Sequence, residues 1–283
     1  MAHELRAKHW RVLAEQGRVL AKHRRILVRY WAITFSSFSQ FTWDVWLSIV
    51  QFVFYMCRSL VFWWAVTGVA GDFAGWTMSE LALFTAVSYL PGLHSLFWNF
   101  WNSASFSDKI LRGELDKYLA RPVHPLFALA AEDVHLAHFL KYFLPPLAMA
   151  LVFIARYDLP VTGWSFVGGY LLLSAGKLVL TMMRATASML AFRHGEVSGL
   201  EALLFQFTAL GSYPVTAFPD ALRFFLGYLL PAAFTATYPT LFMLGKADGI
   251  RVFGIAAGLC VFWVVVMLKT WSVTARDYES PGG

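Results

Sequence analysis

The chain has 283 residues, 58% of them hydrophobic and only 14% charged, with a formal net charge of +6. A soluble fold of this length cannot hide so much apolar surface, whereas a bilayer core about 30 Å thick asks for roughly 20 apolar residues per helix. The composition excludes an ordinary soluble domain and points to an all-α, polytopic membrane protein forming one domain over residues 1–283.

The opening thirty residues are densely basic and lack the apolar core of a signal peptide. Within them Arg11-Val12-Leu13-Ala14, Arg18-Val19-Leu20-Ala21 and Arg25-Ile26-Leu27-Val28 recur every seven residues. On a helix this spacing stacks the apolar pairs along one stripe and leaves arginines around it. Residues 3–30 are expected to lie in the headgroup layer as an interfacial helix, its cations on lipid phosphates. A coiled-coil seam is the competing reading of the same period.

Six apolar spans and one ambiguous stretch follow. The spans run from about Val45 to Val69, Ser79 to Trp101, Val134 to Ala155 and Trp164 to Leu190; a fifth starts near Val197 and stops at Ser212-Tyr213-Pro214, and the last covers Ile250 to Trp271. Between those two, the apolar stretch 218–244 is interrupted by Pro231 and Pro239, with Pro214 and Pro219 leading in. Proline removes a backbone donor and clashes with the preceding turn, so residues 214–245 read as two half-helices of a re-entrant hairpin.

Positive charge collects before the first span, between the second and third (Lys109, Arg112, Lys117, Arg121) and after the last (Lys269, Arg276). With the hairpin re-entrant, six crossings put both termini in the cytoplasm. Arg223, Lys246 and Arg251 oppose this, and seven crossings with an outside C-terminus is the rival. Within the spans, Arg58 and Lys177 fall near the middle of the first and fourth. Charge at that depth should avoid lipid: either the two line a polar path or subunit interface, or each snorkels or pairs with a carboxylate such as Asp44 or Glu80.

Enzymatic motifs fail one by one. Gly195-Glu196-Val197-Ser198-Gly199 resembles the nucleophile turn of an intramembrane serine protease, but Glu196 stands where glycine is needed and no histidine follows His194. Glu132, Asp133, His135 and His138 lie close together without a third strong ligand from another segment, so no metal site is assigned. Cys57 and Cys260 both fall in spans, which indicates neither a disulfide framework nor a thiolate metal site. Gly245-Lys246 lacks the first glycine and the Mg-binding hydroxyl of a phosphate loop. The chain is therefore expected to bind no cofactor and to act as no enzyme; any ATP and Mg would sit on a partner.

The connector 104–125 carries the most information. Ile110, Leu111, Leu115, Tyr118 and Leu119 recur at helical spacing, Gly113 is a break, and Arg121-Pro122 ends the element. Such a short amphipathic helix between two spans can dock on a soluble partner; a solvated connector is the bland alternative.

Gly113-Glu114-Leu115-Asp116, Leu119, Arg121-Pro122-Val123 and Pro125-Leu126-Phe127 resemble the signature of permease subunits in the type-2 ABC transporter family. The Gly75-Trp76-Thr77 turn, Tyr213-Pro214, Phe218-Pro219, Leu230-Pro231 and Tyr238-Pro239 fit it too, so the resemblance runs from about Arg25 to Lys269. It implies an interfacial elbow, six spans, a re-entrant element before the last, and a coupling helix in the first cytoplasmic loop. It also implies pairing with a second permease, identical or homologous, and two cytoplasmic ATPase subunits. Export of a hydrophobic or amphipathic substrate across the cytoplasmic membrane follows, with membrane lipids and no nucleic acid as surroundings. Carried over here, Asp108, Ile110, Leu111, Gly113, Glu114, Leu115, Asp116 and Arg121 form the ATPase-coupling segment, with Arg121 bracing its turn. An ATP-independent carrier or channel is the second hypothesis and an intramembrane enzyme the third; co-purification with an ATPase separates the first two.

Overall fold

The computed structural model describes residues 42–96, 105–121, 124–132 and 136–278. The expected elbow at 3–30 lies outside these residues, as do the side chains of Asp44, Glu132, Asp133, His135 and His138. The described part is built of helices: α1 Thr42–Ala70, α2 Met78–Tyr89, α3 Ser105–Leu111, α4 Asp116–Leu119, α5 Pro125–Glu132, α6 Leu136–Arg156, α7 Gly163–Ser188, α8 Ala191–His194, α9 Ser198–Ala209, α10 Asp220–Phe224, α11 Thr237–Met243 and α12 Gly249–Thr274. No strand occurs among the described residues beyond a single bridge between Phe73 and Trp76.

Three described helical stretches are long and apolar enough to cross a membrane: Ile49–Ala70, Gly163–His194 and Gly249–Thr274. Their ends follow local chemistry. The chain leaves α1 through a tight turn in which Phe73 and Trp76 exchange both backbone hydrogen bonds at 3.0 Å, with Ala74 and Gly75 at φ 52° and 80°. Those paired left-handed angles are what a primed hairpin turn requires, and glycine supplies one of them without strain. Thr77 then caps α2 in a reciprocal box with Glu80. Thr162 and Ser165 do the same for α7, and the Asp248 carboxylate accepts the Ile250 N–H to start α12.

The second predicted span is not one continuous helix. It stops at Tyr89, Leu90 turns to extended backbone, and a short 3-10 turn, Leu93–Leu96, follows. The reason lies in Pro91, which disfavours helical geometry at Leu90 and cannot donate to the turn before it. Residues 220–243 are likewise divided. α10 runs on into a π-helical stretch, Phe225–Leu229, the chain breaks at Leu230-Pro231, and the 3-10 turn Ala232–Thr235 leads into α11.

α7 is the central post. α12, α11, the 232–235 turn and α9 all pack on it, while α2 lies against α1 and α6. Close approach is permitted by glycine: a methyl group at Gly176 would lie 2.5 Å from Phe234 Cβ, and one at Gly169 would lie 2.9 Å from the Pro239 carbonyl oxygen. Small residues play this part wherever backbones must meet inside a membrane. One core gathers Trp63, Trp76, Phe84, Leu173 and Met243 from α1, α2, α7, α11 and the turn before α2. The larger core joins the α3–α5 connector to the lower half of α7 and to Trp271.

Candidate functional site

The break in α2 strips backbone groups of their helical partners, and α7 supplies replacements from one face. In an uninterrupted helix the Ser88 and Leu90 carbonyls would accept from residues 92 and 94. Here the Lys177 ammonium donates to Ser88 O at 3.0 Å and also to Leu90 O. One turn above, Ser174 Oγ accepts the Leu93 N–H at 3.1 Å, and a turn further the Tyr170 hydroxyl donates to Pro91 O at 3.1 Å. One turn below, the Thr181 hydroxyl donates to Lys177 O at 2.9 Å and stands 3.0 Å from His94 Nε2.

The stripe continues toward the end of the helix. Arg184 Nη2 donates to Thr208 Oγ1 on α9 at 2.8 Å, and the guanidinium lies 5.6 Å from the centre of the Phe205 ring. Ser188 donates to Glu201 at 2.5 Å, and the other oxygen of that carboxylate accepts from Ser107 at 3.2 Å. Tyr170, Ser174, Lys177, Thr181, Arg184 and Ser188 thus follow the three-and-four spacing of one helix face. Of these, sequence reasoning singled out only Lys177. The spacing was the signal that could have found the others.

Two cavities open beside the stripe. One, of about 390 Å³, is lined by His94, Ser95, Lys177, Thr181, Arg184 and Thr208 among others. The second, of about 430 Å³, is lined by Arg58, Ser59, Trp63, Thr85 and Tyr89, and the two share Ser88 and Ser212. The residues predicted for a polar path, Arg58 and Lys177, therefore line adjoining spaces. Their partners differ from those expected. Lys177 binds backbone carbonyls, not a carboxylate, while Glu80 meets Lys246 at 2.6 Å. Arg58 lies 5.5 Å from the centre of the Tyr55 ring on the exposed side of α1.

Gly92 shapes the first cavity's wall. A methyl group there would fall 2.8 Å from His94 Nδ1 and 3.2 Å from Lys177 Cβ, so only glycine leaves the imidazole its place.

The connector has a buried and an exposed side. Phe106, Ile110, Leu115 and Tyr118 are each at most 4% exposed and pack with Leu129, Met189, Ala191 and Trp271 of the same chain. Ile110 and Leu115, expected on a docking face, are consumed by the chain's own core. Leu111, Leu119, Asp108, Arg112, Asp116 and Lys117 remain on the outside. Gly113 makes the turn between α3 and α4 at φ 73°. Tyr118 carries three cations around its ring, with Lys117, Arg121 and Lys109 at 4.9, 5.2 and 5.9 Å from its centre. Burial, and then the neighbouring Asp116 carboxylate, push the Tyr278 phenol up to about 12, which ties the connector to the residues after α12. Phe192 joins the same corner, edge-on to both Trp271 and Tyr278.

Long apolar helices, a helix that breaks off before Pro91 and polar side chains turned inward together fit a multi-pass membrane protein. The family described as ABC-2 family transporter protein matches residues 52–282, and the chain belongs to that family. No curated protein and no solved structure matches it.

Proposed function

We propose that the chain is the permease subunit of an ATP-binding-cassette exporter, carrying a hydrophobic or amphipathic substrate across the cytoplasmic membrane. Two copies of a cytoplasmic ATPase hold the ATP and Mg and drive it, and a second permease, identical or homologous, completes the membrane part. In this reading residues 3–30 are the elbow, 214–245 re-enter from the outer side, and six crossings leave both termini in the cytoplasm. The observation that carries the reading is the interrupted α2. Its broken end is held by Lys177 beside two adjoining polar cavities, and irregular backbone at membrane depth is tolerated where it lines such a space.

ATP-driven movement then needs a cytoplasmic handle, and the exposed side of the connector is the handle we assign. Leu111, Arg112, Glu114 and Lys117 meet the ATPase, whereas Ile110, Leu115, Asp116 and Arg121 hold the segment to the body. The Asp108–Arg112 and Glu114–Lys117 pairs, at 3.8 and 3.6 Å, are solvent-exposed and add at most about 1 kcal/mol to stability.

The test is to purify the tagged chain with its ATPase and then combine Leu111→Ser, Arg112→Glu and Lys117→Glu. The variant should insert and fold normally yet lose the co-purified ATPase and substrate-stimulated hydrolysis. Retention of both places the contact elsewhere, and failure of any ATPase to co-purify with the unaltered chain favours an ATP-independent carrier.

A further inference from the structure

The charged side chains of the cavity beside α7 are all positive. Lys177 and Arg184 line it beside the His94 imidazole, and among the described residues no aspartate or glutamate does. The adjoining cavity adds Arg58 and again no carboxylate. On the packed elements Glu80 is paired with Lys246, and Glu201 is held by the Ser188 and Ser107 hydroxyls; neither lines either cavity.

Hydrogen-bond supply is equally one-sided. An ammonium has three N–H groups, and Lys177 spends them on two carbonyls, which leaves one. A guanidinium has five, and Arg184 gives one Nη2 hydrogen to Thr208 while its buried Nε has no partner. Cations at membrane depth without a counter-ion are costly, so an arrangement that gathers them suits a ligand that brings the negative charge itself.

We propose that this cavity binds the anionic head, a phosphate or carboxylate, of the substrate. The inference rests on the permease reading above and names the class of its cargo. About 390 Å³ accommodates a head group rather than a whole amphiphile. Phe205 lines the cavity yet is 63% exposed, so an apolar tail has a surface to follow out of it. Cationic amphiphiles are excluded by the same charges.

The test is direct binding, with neither ATPase nor ATP present. The full chain in nanodiscs of neutral phosphatidylcholine is titrated calorimetrically with oleoyl lysophosphatidic acid, inorganic phosphate, oleoyl lysophosphatidylcholine and dodecyltrimethylammonium. The phosphate-bearing probes with net negative charge should bind, and Arg184→Gln should weaken them about tenfold, the loss of one charge-assisted bond. Arg184→Lys should restore part of that loss. If Arg184→Gln fails to fold, Ser212→Asp, which sets a carboxylate on the shared wall, should abolish anion binding instead. Tighter binding of the lysophosphatidic acid assigns the head group to a lipid, and equal binding of inorganic phosphate assigns it to a free anion. Equal affinity for the cationic or zwitterionic probe, or unchanged anion binding in folded variants, overturns the proposal. Because no ATPase takes part, loss of anion binding alongside intact ATP-driven transport sinks only this inference. Anion binding by a chain that captures no ATPase sinks only the exporter reading.

Discussion

α7 and α12 are helices of 26 residues each, lie against one another, and solve different problems. Over half of the apolar stretch at α7 is buried, 56%, against 17% for α12. α7 turns a line of polar groups toward the broken end of α2. In the middle of α12 the Cys260 thiol lies 3.9 Å from the Ala175 carbonyl, and Val261, Phe262 and Leu268 face outward. The difference teaches where polarity belongs in a membrane helix: it appears where a neighbour's backbone is interrupted, because each exposed carbonyl or N–H must find a partner in a medium without water. A helix beside intact neighbours has no such obligation.

The comparison predicts its largest effect at Lys177. Lys177→Leu removes the donor from two carbonyls, and each buried unsatisfied group costs about 1 to 3 kcal/mol, so the fold should lose roughly 2 to 5 kcal/mol. Thermal unfolding of the purified protein in detergent should show a marked fall in Tm. Val261→Leu on the outer face of α12, where the side chain is 66% exposed, should stay within about 0.5 kcal/mol. Equal Tm values for the two variants would mean that the lysine is not what holds the end of α2.

Glycines give a contrast of sign. At Gly176 an added methyl group meets the Phe234 backbone carbonyl oxygen at 2.6 Å, a contact that no side-chain rotation relieves, so Gly176→Ala should cost about 1 to 3 kcal/mol. At Gly258 on α12 nothing lies within 4 Å, and Gly258→Ala should stabilise by up to about 1 kcal/mol through helix propensity. Urea or thermal midpoints moving in the same direction for both would contradict the assignment of α7 as the close-packed post.

How much of this was written in the chain differs by kind of partner. Helix class, the position of α12 and the break near Pro231 were legible because hydrophobic runs and proline act locally. Pro91-Gly92 was equally local, but an apolar run continuing to Trp101 hid the interruption. Lys177 stood out as a charge at depth, yet its partners could not be read, since a main-chain carbonyl carries no side-chain signature. Asp44 and Glu80 were the carboxylates that sequence offered, and Glu80 instead closes on Lys246. In the connector the helical spacing was right about one apolar stripe. It could not say that Ile110 and Leu115 face their own chain rather than a partner, because an amphipathic face looks the same against either.

The smallest effect belongs to the serines and is the finest test of the comparison. Ser174 Oγ accepts the Leu93 N–H at 3.1 Å from within the buried face of α7, just past the break. Ser272 near the end of α12 is exposed and donates only to the Lys269 carbonyl of its own helix at 2.8 Å. Replacing either by alanine removes one hydroxyl of the same size. Ser174→Ala strands a backbone donor and should cost about 1 kcal/mol. Ser272→Ala removes a bond that solvent or headgroups replace, and its cost should be near zero. Amide hydrogen exchange locates the effect as well as its size: protection should fall at Leu93 and its 3-10 turn in Ser174→Ala and remain unchanged along α12 in Ser272→Ala. If Ser174→Ala leaves Leu93 protected, the polar stripe of α7 does not support the broken segment residue by residue, and Lys177 alone carries the join.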